Sequence, residues 1–132
     1  MLEGGVIGIG VDLCAVSRME KSIQRQHFVE RVFLDGERAY LEKKEKSRAQ
    51  SAAAMFAAKE AVAKALGTGF RGFGMQDVEI LADELGRPVA MLHNGAAARA
   101  GGGRVHISIS HDGGMALAFA VWEEKEADEC AT

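Results

Sequence analysis

The sequence predicts an α+β domain, with a small, mostly antiparallel sheet packed on one long helix and several short helices around it. Three observations carry that expectation. Residues 6–15 form a β-branched run with glycines at alternate positions. Residues 47–67 form an alanine-rich stretch without proline, which favours a helix. Residues 77–92 and 105–122 each read as two apolar runs broken by turn residues, the pattern of hairpins.

Length and charge narrow the class. With 132 residues the chain has material for one core and one domain. We expect the domain over 1–122 and an acidic tail over 123–132. The tail segment 123–129 holds five acids and one base, or −4, which leaves 15 bases against 14 acids, or +1, for the body. A body so near neutrality argues against nucleic acid as a partner. No apolar run reaches the roughly 18 residues of a membrane span, so no membrane partner is expected. The opening residues lack the basic flank and apolar stretch of a secretory signal. Cys14 and Cys130 stand far apart with no metal-ligand spacing and read as free thiols. Together these point to the cytoplasm.

The first run, Val6 to Ala15, is a strand. Gly8, Gly10 and Asp12 share one face, so something can approach that face closely. The Gly-x-Gly lacks the third glycine of a dinucleotide fingerprint. Asp12, the only charge in the run, is either a cap for the next element or a ligand. Ser17-Arg18-Met19-Glu20 reads as a capping box opening a helix from Arg18 to Gln26, with Arg18, Lys21 and Arg25 on one side. That side is either a solvated face or a docking surface for an acidic partner. Residues 27–34 read as a short helix anchored by Phe28, Val32 and Phe33. Asp35 reads as the cap of another helix, from Gly36 to about Lys44, with Tyr40 and Leu41 inward. Lys43, Lys44, Lys46 and Arg48 follow as a basic cluster, a solvated run or an anion site.

In the long helix Ala52, Met55, Phe56, Val62 and Leu66 fall on one apolar stripe. Lys59 lies inside that stripe, Glu60 at its border and Lys64 one turn further. The plain reading gives an i,i+4 pair of Glu60 with Lys64 and a Lys59 that snorkels to water. The sharper reading gives all three a ligand or partner, because an unpaired buried charge is costly. Gly67 and Gly69 stop the helix, and the glycine-rich loop 67–74 either wraps something closely or is mobile. A hairpin follows around residues 83–87, with Pro88 at a strand start, then a short helix over 93–100 ending in three glycines. In the next strand Val105, Ile107 and Ile109 face one way and His106, Ser108 and Ser110 the other. A turn at His111-Asp112-Gly113-Gly114 leads into a final strand, Met115 to Trp122.

Two carboxylates from separate elements, Asp12 and Glu60, suit Mg²⁺, which is commonly held by one or two protein carboxylates with phosphate oxygens and water. Lysines beside them would neutralise a polyphosphate, and His111 at a hairpin could orient a phosphate or accept a proton. The chemistry this suggests is phosphoryl transfer or pyrophosphate cleavage.

Taken in order, Gly8-Ile9-Gly10-Val11-Asp12-Leu13, Phe56-Ala57-Ala58-Lys59-Glu60-Ala61, Lys64-Ala65-Leu66-Gly67-Thr68-Gly69, Gly86-Arg87-Pro88 and Ser108-Ile109-Ser110-His111 resemble the holo-acyl-carrier-protein synthases, the small 4′-phosphopantetheinyl transferases. The resemblance covers residues 5 to 122. It implies that family's fold and its reaction: coenzyme A gives its phosphopantetheine arm to a serine of an apo acyl carrier protein, and adenosine 3′,5′-bisphosphate leaves. It implies Asp12 and Glu60 as Mg²⁺ ligands and Lys64 on the phosphates. Lys46 and Arg48 would meet the 3′-phosphate. Gly67 and the Gly86-Arg87-Pro88 turn, with Ser110 and His111, would line the coenzyme site. Arg18, with Lys21 and Arg25, would face the acidic carrier protein. A water on the ion, Glu60 and His111 are all candidates for the base. Homotrimers with active sites between subunits are implied as well. One departure stands out: Met55 occupies a place where the family usually has an arginine. It motivates one alternative, a catalytically weak carrier-binding module; a Mg²⁺-dependent phosphoesterase of coenzyme A-like nucleotides is the other.

Overall fold

The computed structural model describes residues 4–67 and 69–125. Strand β1 (Val6–Ala15) leads into three short helices, α1 (Val16–Ser22), α2 (Gln26–Val32) and α3 (Asp35–Glu42). The long helix α4 (Arg48–Ala65) follows. A single 3₁₀ turn at Met75–Asp77 then opens the hairpin β2 (Val78–Ala82) and β3 (Pro88–Leu92). Helix α5 (Asn94–Ala100) and the strands β4 (Arg104–Asp112) and β5 (Met115–Glu123) complete the chain. The expected α+β architecture is found: β1, β5 and β4 form an antiparallel sheet in that order, β2 and β3 form a second, and α4 packs on the first.

Small residues make that packing tight. The inner face of β1 presents Gly8, Gly10, Asp12 and Cys14, and β5 answers with Trp122, Ala120, Ala118 and Ala116 in register. A Cβ on Gly8 would lie 2.0 Å from the Ala65 carbonyl oxygen, and one on Gly10 2.1 Å from that of Ala61. The helix backbone therefore rests directly on the strand, which is the close approach the alternate glycines predicted. The opposite face of the sheet is apolar and open: Ile7, Ile9, Val11 and Leu13 of β1 lie beside exposed Leu117 and Phe119 of β5.

Several local expectations are corrected. Helix α1 begins at Val16 after Ala15, without a side-chain cap, so Ser17 sits inside the first turn and forms no capping box. The helix ends at Ser22, which leaves Arg25 outside it, over the ring of Phe28 (5.7 Å to the centroid). Asp35 is the first residue of α3, not its cap; the open Leu34 N–H is taken by the Glu37 carboxylate (2.9 Å). Tyr40 is exposed, with Lys44 over its ring, because Glu37 and Leu41, one turn apart, take the inward positions of α3. Helix α4 has no single apolar stripe. It is enclosed by β1, β5, β2, α1 and α3, and alanines are buried on almost every side of it.

Lys59 does not snorkel. It is wholly buried, and its ammonium donates to Glu37 Oε1 (2.9 Å) and to the carbonyls of Met75 (3.0 Å) and Val78 (2.6 Å). Cys14 is a buried free thiol, as expected, while Cys130 and the tail beyond Lys125 lie outside the described residues.

Candidate active site

The carboxylates converge where α4 crosses β1. Asp12 sits on the inner face of β1 opposite Ala118, and Glu60 projects from α4 beside it. Lys64, one turn on, reaches across to Asp12 Oδ1 (3.0 Å) and to the Val11 carbonyl (3.0 Å). Its ion pair thus crosses to the strand instead of running along the helix to Glu60. The seat of α4 on Gly8 and Gly10 causes this. It leaves no side chain between the helix and the strand, so groups at the edge of the contact meet directly.

The electrostatics are those of two acids held together. Burial, and then repulsion from Asp12, push the Glu60 carboxyl above the usual carboxylate range, against the pull of Lys64 and Arg18. Burial likewise raises the Cys14 thiol, with Arg18 opposing and Asp12 and Glu60 adding to the rise. Arg18 on α1 therefore borders the same cluster. Spacing left it as either part of a solvated face or a docking residue; its position six residues after Asp12 was the available signal. Two carboxylates from separate elements, one already strained by the other's charge, fit a hard divalent cation. Among the described residues no third acid, histidine or cysteine joins them, so water and phosphate oxygens would complete the shell.

The other predicted site residues lie elsewhere in the chain. His111 is on the inner face of β4, in the row of Ala116 and Cys14, and its Nε2 lies 3.1 Å from Gln50 Nε2 at the start of α4. Gln50 and Glu60 are ten residues apart on one helix, about 15 Å along its axis. Ser110 points to the opposite, outer face, paired with Leu117. Lys46 is exposed in the link before α4. Arg48 donates to the carbonyls of Leu41 (3.0 Å) and Glu42 (3.3 Å), closing the C-terminus of α3.

Gly67 follows α4 with φ of 84°, a left-handed stop. The Gly86-Arg87-Pro88 turn belongs to the β2–β3 hairpin, with Arg87 paired to Asp83 (2.9 Å), and lies against β4, the sheet edge remote from β1. Met55 is buried and lines a cavity of about 270 Å³ between α3, α4 and β2, with Tyr40, Ser51, Ile80 and Ile109 among its walls. Arg18 and Lys21 are exposed on α1, and Arg25 just beyond it. Within one chain, then, Asp12, Glu60, Lys64 and Arg18 come together, while His111, Ser110, Lys46, Arg48 and the Gly86–Pro88 turn do not join them.

Comparison with known proteins places the chain in a family. Residues 8–127 match the family model described as the 4′-phosphopantetheinyl transferase superfamily. A holo-[acyl-carrier-protein] synthase of Clostridium acetobutylicum is 48% identical over 120 residues, covering 88% of this chain and 96% of that protein. Among solved structures, a holo-(acyl-carrier-protein) synthase of Bacillus anthracis in complex with CoA (3′,5′-ADP) superposes with a TM-score of 0.79. It is 33% identical, over 91% of this chain and 98% of that one. The enzyme of Neisseria meningitidis gives a TM-score of 0.80 at 32% identity, over 90% and 99% of the two chains. By sequence over nearly its whole length and by fold, the chain belongs to the 4′-phosphopantetheinyl transferase superfamily, among its holo-[acyl-carrier-protein] synthases.

Proposed function

We propose that this enzyme transfers the 4′-phosphopantetheine arm of coenzyme A to a serine hydroxyl of an apo acyl carrier protein in the cytoplasm, with Mg²⁺, releasing adenosine 3′,5′-bisphosphate. The observation that carries the reading is the meeting of Asp12, Glu60 and Lys64 at the crossing of β1 and α4. Asp12 and Glu60 would hold the ion, which when bound neutralises the diphosphate and polarises the phosphorus toward attack. Lys64 is half exposed and among the described residues is tied to Asp12 and one carbonyl, so with an ion held by Asp12 and Glu60 it would be able to turn to a phosphate oxygen. With Met55 apolar, the cations left for the donor's phosphates are Lys64, Lys46 and Arg48. Gly67, the Gly86-Arg87-Pro88 turn, Ser110 and His111 complete the coenzyme site in this reading. The acidic carrier docks on Arg18, Lys21 and Arg25, next to the carboxylates.

The same reading has three copies of the domain share their sites. The open apolar face of β1 and β5 supports it, since a patch of Ile7, Ile9, Val11, Leu13, Leu117 and Phe119 is costly to leave in water. A neighbouring copy would also supply what one chain keeps apart, including His111, which stands at the other end of α4 from the carboxylates.

Incubation with apo carrier protein, coenzyme A and Mg²⁺, followed by intact-mass measurement, tests the reading. A carrier heavier by one phosphopantetheine is expected. Carrier binding without a mass gain would reduce the chain to a docking module, and nucleotide cleavage without carrier modification would make it a phosphoesterase.

A further inference from the structure

Helix α4 has an unusual problem of orientation. Ala52, Ala53, Ala57, Ala58, Ala61, Ala63 and Ala65 are all at most 1% exposed and cover most of its circumference, while the larger buried side chains Met55, Val62 and Leu66 share the remaining side with Lys59. Against β1 it meets glycine backbone rather than side chains. A cylinder of methyl groups on a glycine surface offers little shape to fix its rotation. Yet rotation decides the chemistry, because Lys59 and Glu60 are neighbours about 100° apart on the helix. One of them faces a sealed interior and the other faces Asp12.

Among the described residues of α4, Lys59 alone has a fully buried polar side chain. Its three donors are matched by three acceptors: Glu37 Oε1, the Met75 carbonyl and the Val78 carbonyl. Glu37 in turn has both oxygens engaged, accepting from Leu34 N–H (2.9 Å) and Ile80 N–H (2.7 Å) besides Lys59. The pair thus ties α4 to the start of α3, the 3₁₀ turn and β2 by directional bonds with no slack. The glycine seat and apolar packing set which side of α4 meets the sheet, and these directional bonds sharpen that to one rotation.

We propose that Lys59 is a positioning residue, whose buried pair with Glu37 sets the rotation of α4 that aims Glu60 at Asp12. The proposal rests on the reading of Asp12 and Glu60 as the cation site, and places the device that prepares that site on the far side of the helix.

The test uses Mn²⁺ as the probe, with free ion counted by electron paramagnetic resonance, on the full chain well below each variant's unfolding midpoint. Lys59→Met strands a buried carboxylate and is expected to destabilise the domain, so Glu37→Gln/Lys59→Met is made beside it; it removes both charges and leaves an amide oxygen to accept from one of the Leu34 and Ile80 N–H groups. The double variant is expected to fold, to bind Mn²⁺ about tenfold more weakly, and to lose kcat in step while the KM for carrier protein stays put. A folded double variant with wild-type Mn²⁺ affinity overturns the proposal, since a merely structural tie would leave the affinity alone. Hydrogen exchange on the wild type is the second arm. The Leu34 and Ile80 amides should be slow before any metal is added; amides that slow only with Mn²⁺ would show the pair following the site and would overturn the proposal too. A wild-type chain that binds no Mn²⁺ sinks the cation reading itself, a result separable from the other two.

Discussion

Two lysine–carboxylate pairs flank the same helix five residues apart, and they differ in almost everything but distance. Lys59 meets Glu37 at 2.9 Å with both side chains at 0% exposure, whereas Lys64 meets Asp12 at 3.0 Å with side chains 52% and 19% exposed. The sealed pair has all three lysine donors and both carboxylate oxygens bonded within the protein, so removing either partner leaves a buried charge without its counter-ion. The open pair is hydrated, contributes little to stability, and can exchange its partner for a cation or a phosphate at small cost. Identical chemical groups therefore do opposite work, and solvent access is what separates a tie from a reactive site.

The largest expected effect tests the open side. Asp12→Ala and Glu60→Ala should each lower transfer to the carrier by about a thousandfold or more while circular dichroism stays that of the wild type. Near-normal turnover at low Mg²⁺ in either variant would remove that residue from the cation site. Lys64→Ala should cost roughly 10- to 100-fold in kcat with a melting point within about 2 °C of wild type. If it melted far lower instead, the contrast between the two lysines would fail. Arg18→Glu, at the border of the open cluster, should raise the KM for the carrier roughly tenfold and leave that for coenzyme A nearly unchanged; equal effects on both would remove the docking role.

The smallest effect concerns pH. Burial and Asp12 raise the Glu60 carboxyl in the folded, metal-free chain, so ionised Glu60 opposes folding above the ordinary glutamate range. Glu60→Gln should then melt slightly higher than wild type at pH 7 without metal. The gain should shrink as pH falls and the wild-type carboxyl becomes protonated in both states. A variant less stable than wild type at pH 7, or a gain that grows on acidification, would contradict the strain at Glu60.

Much of this was legible in the residues. The alternate glycines of β1 announced a close approach, and the strand period placed Asp12 on the approached face. Helical spacing put Glu60 and Lys64 one turn apart, and the ordered motifs supplied the family. Glu37 was missed, because the partner of a buried lysine is fixed by the packing of α3 on β2, and no period along the chain encodes a contact 22 residues away. The capping box at Ser17 failed for a related reason: β1 runs straight into α1, and the Val16 N–H finds the Gly114 carbonyl (2.9 Å), so tertiary structure supplies what a side-chain cap would have. The stripe on α4 failed because burial on all sides erases the amphipathic signal such a stripe depends on.

The alternation along β1 has a consequence for how sequence drift can reach Asp12. Shifting the strand by a single position would turn Ile9 and Val11 toward the Ala61 and Ala65 carbonyls, where not even one methyl group fits, and would send Asp12 to the outer surface. Threading errors of this strand are thus rejected by volume before chemistry is ever consulted. A chain that folds at all delivers its aspartate to the side facing α4, so selection against misfolding also guards the place of Asp12 beside Glu60.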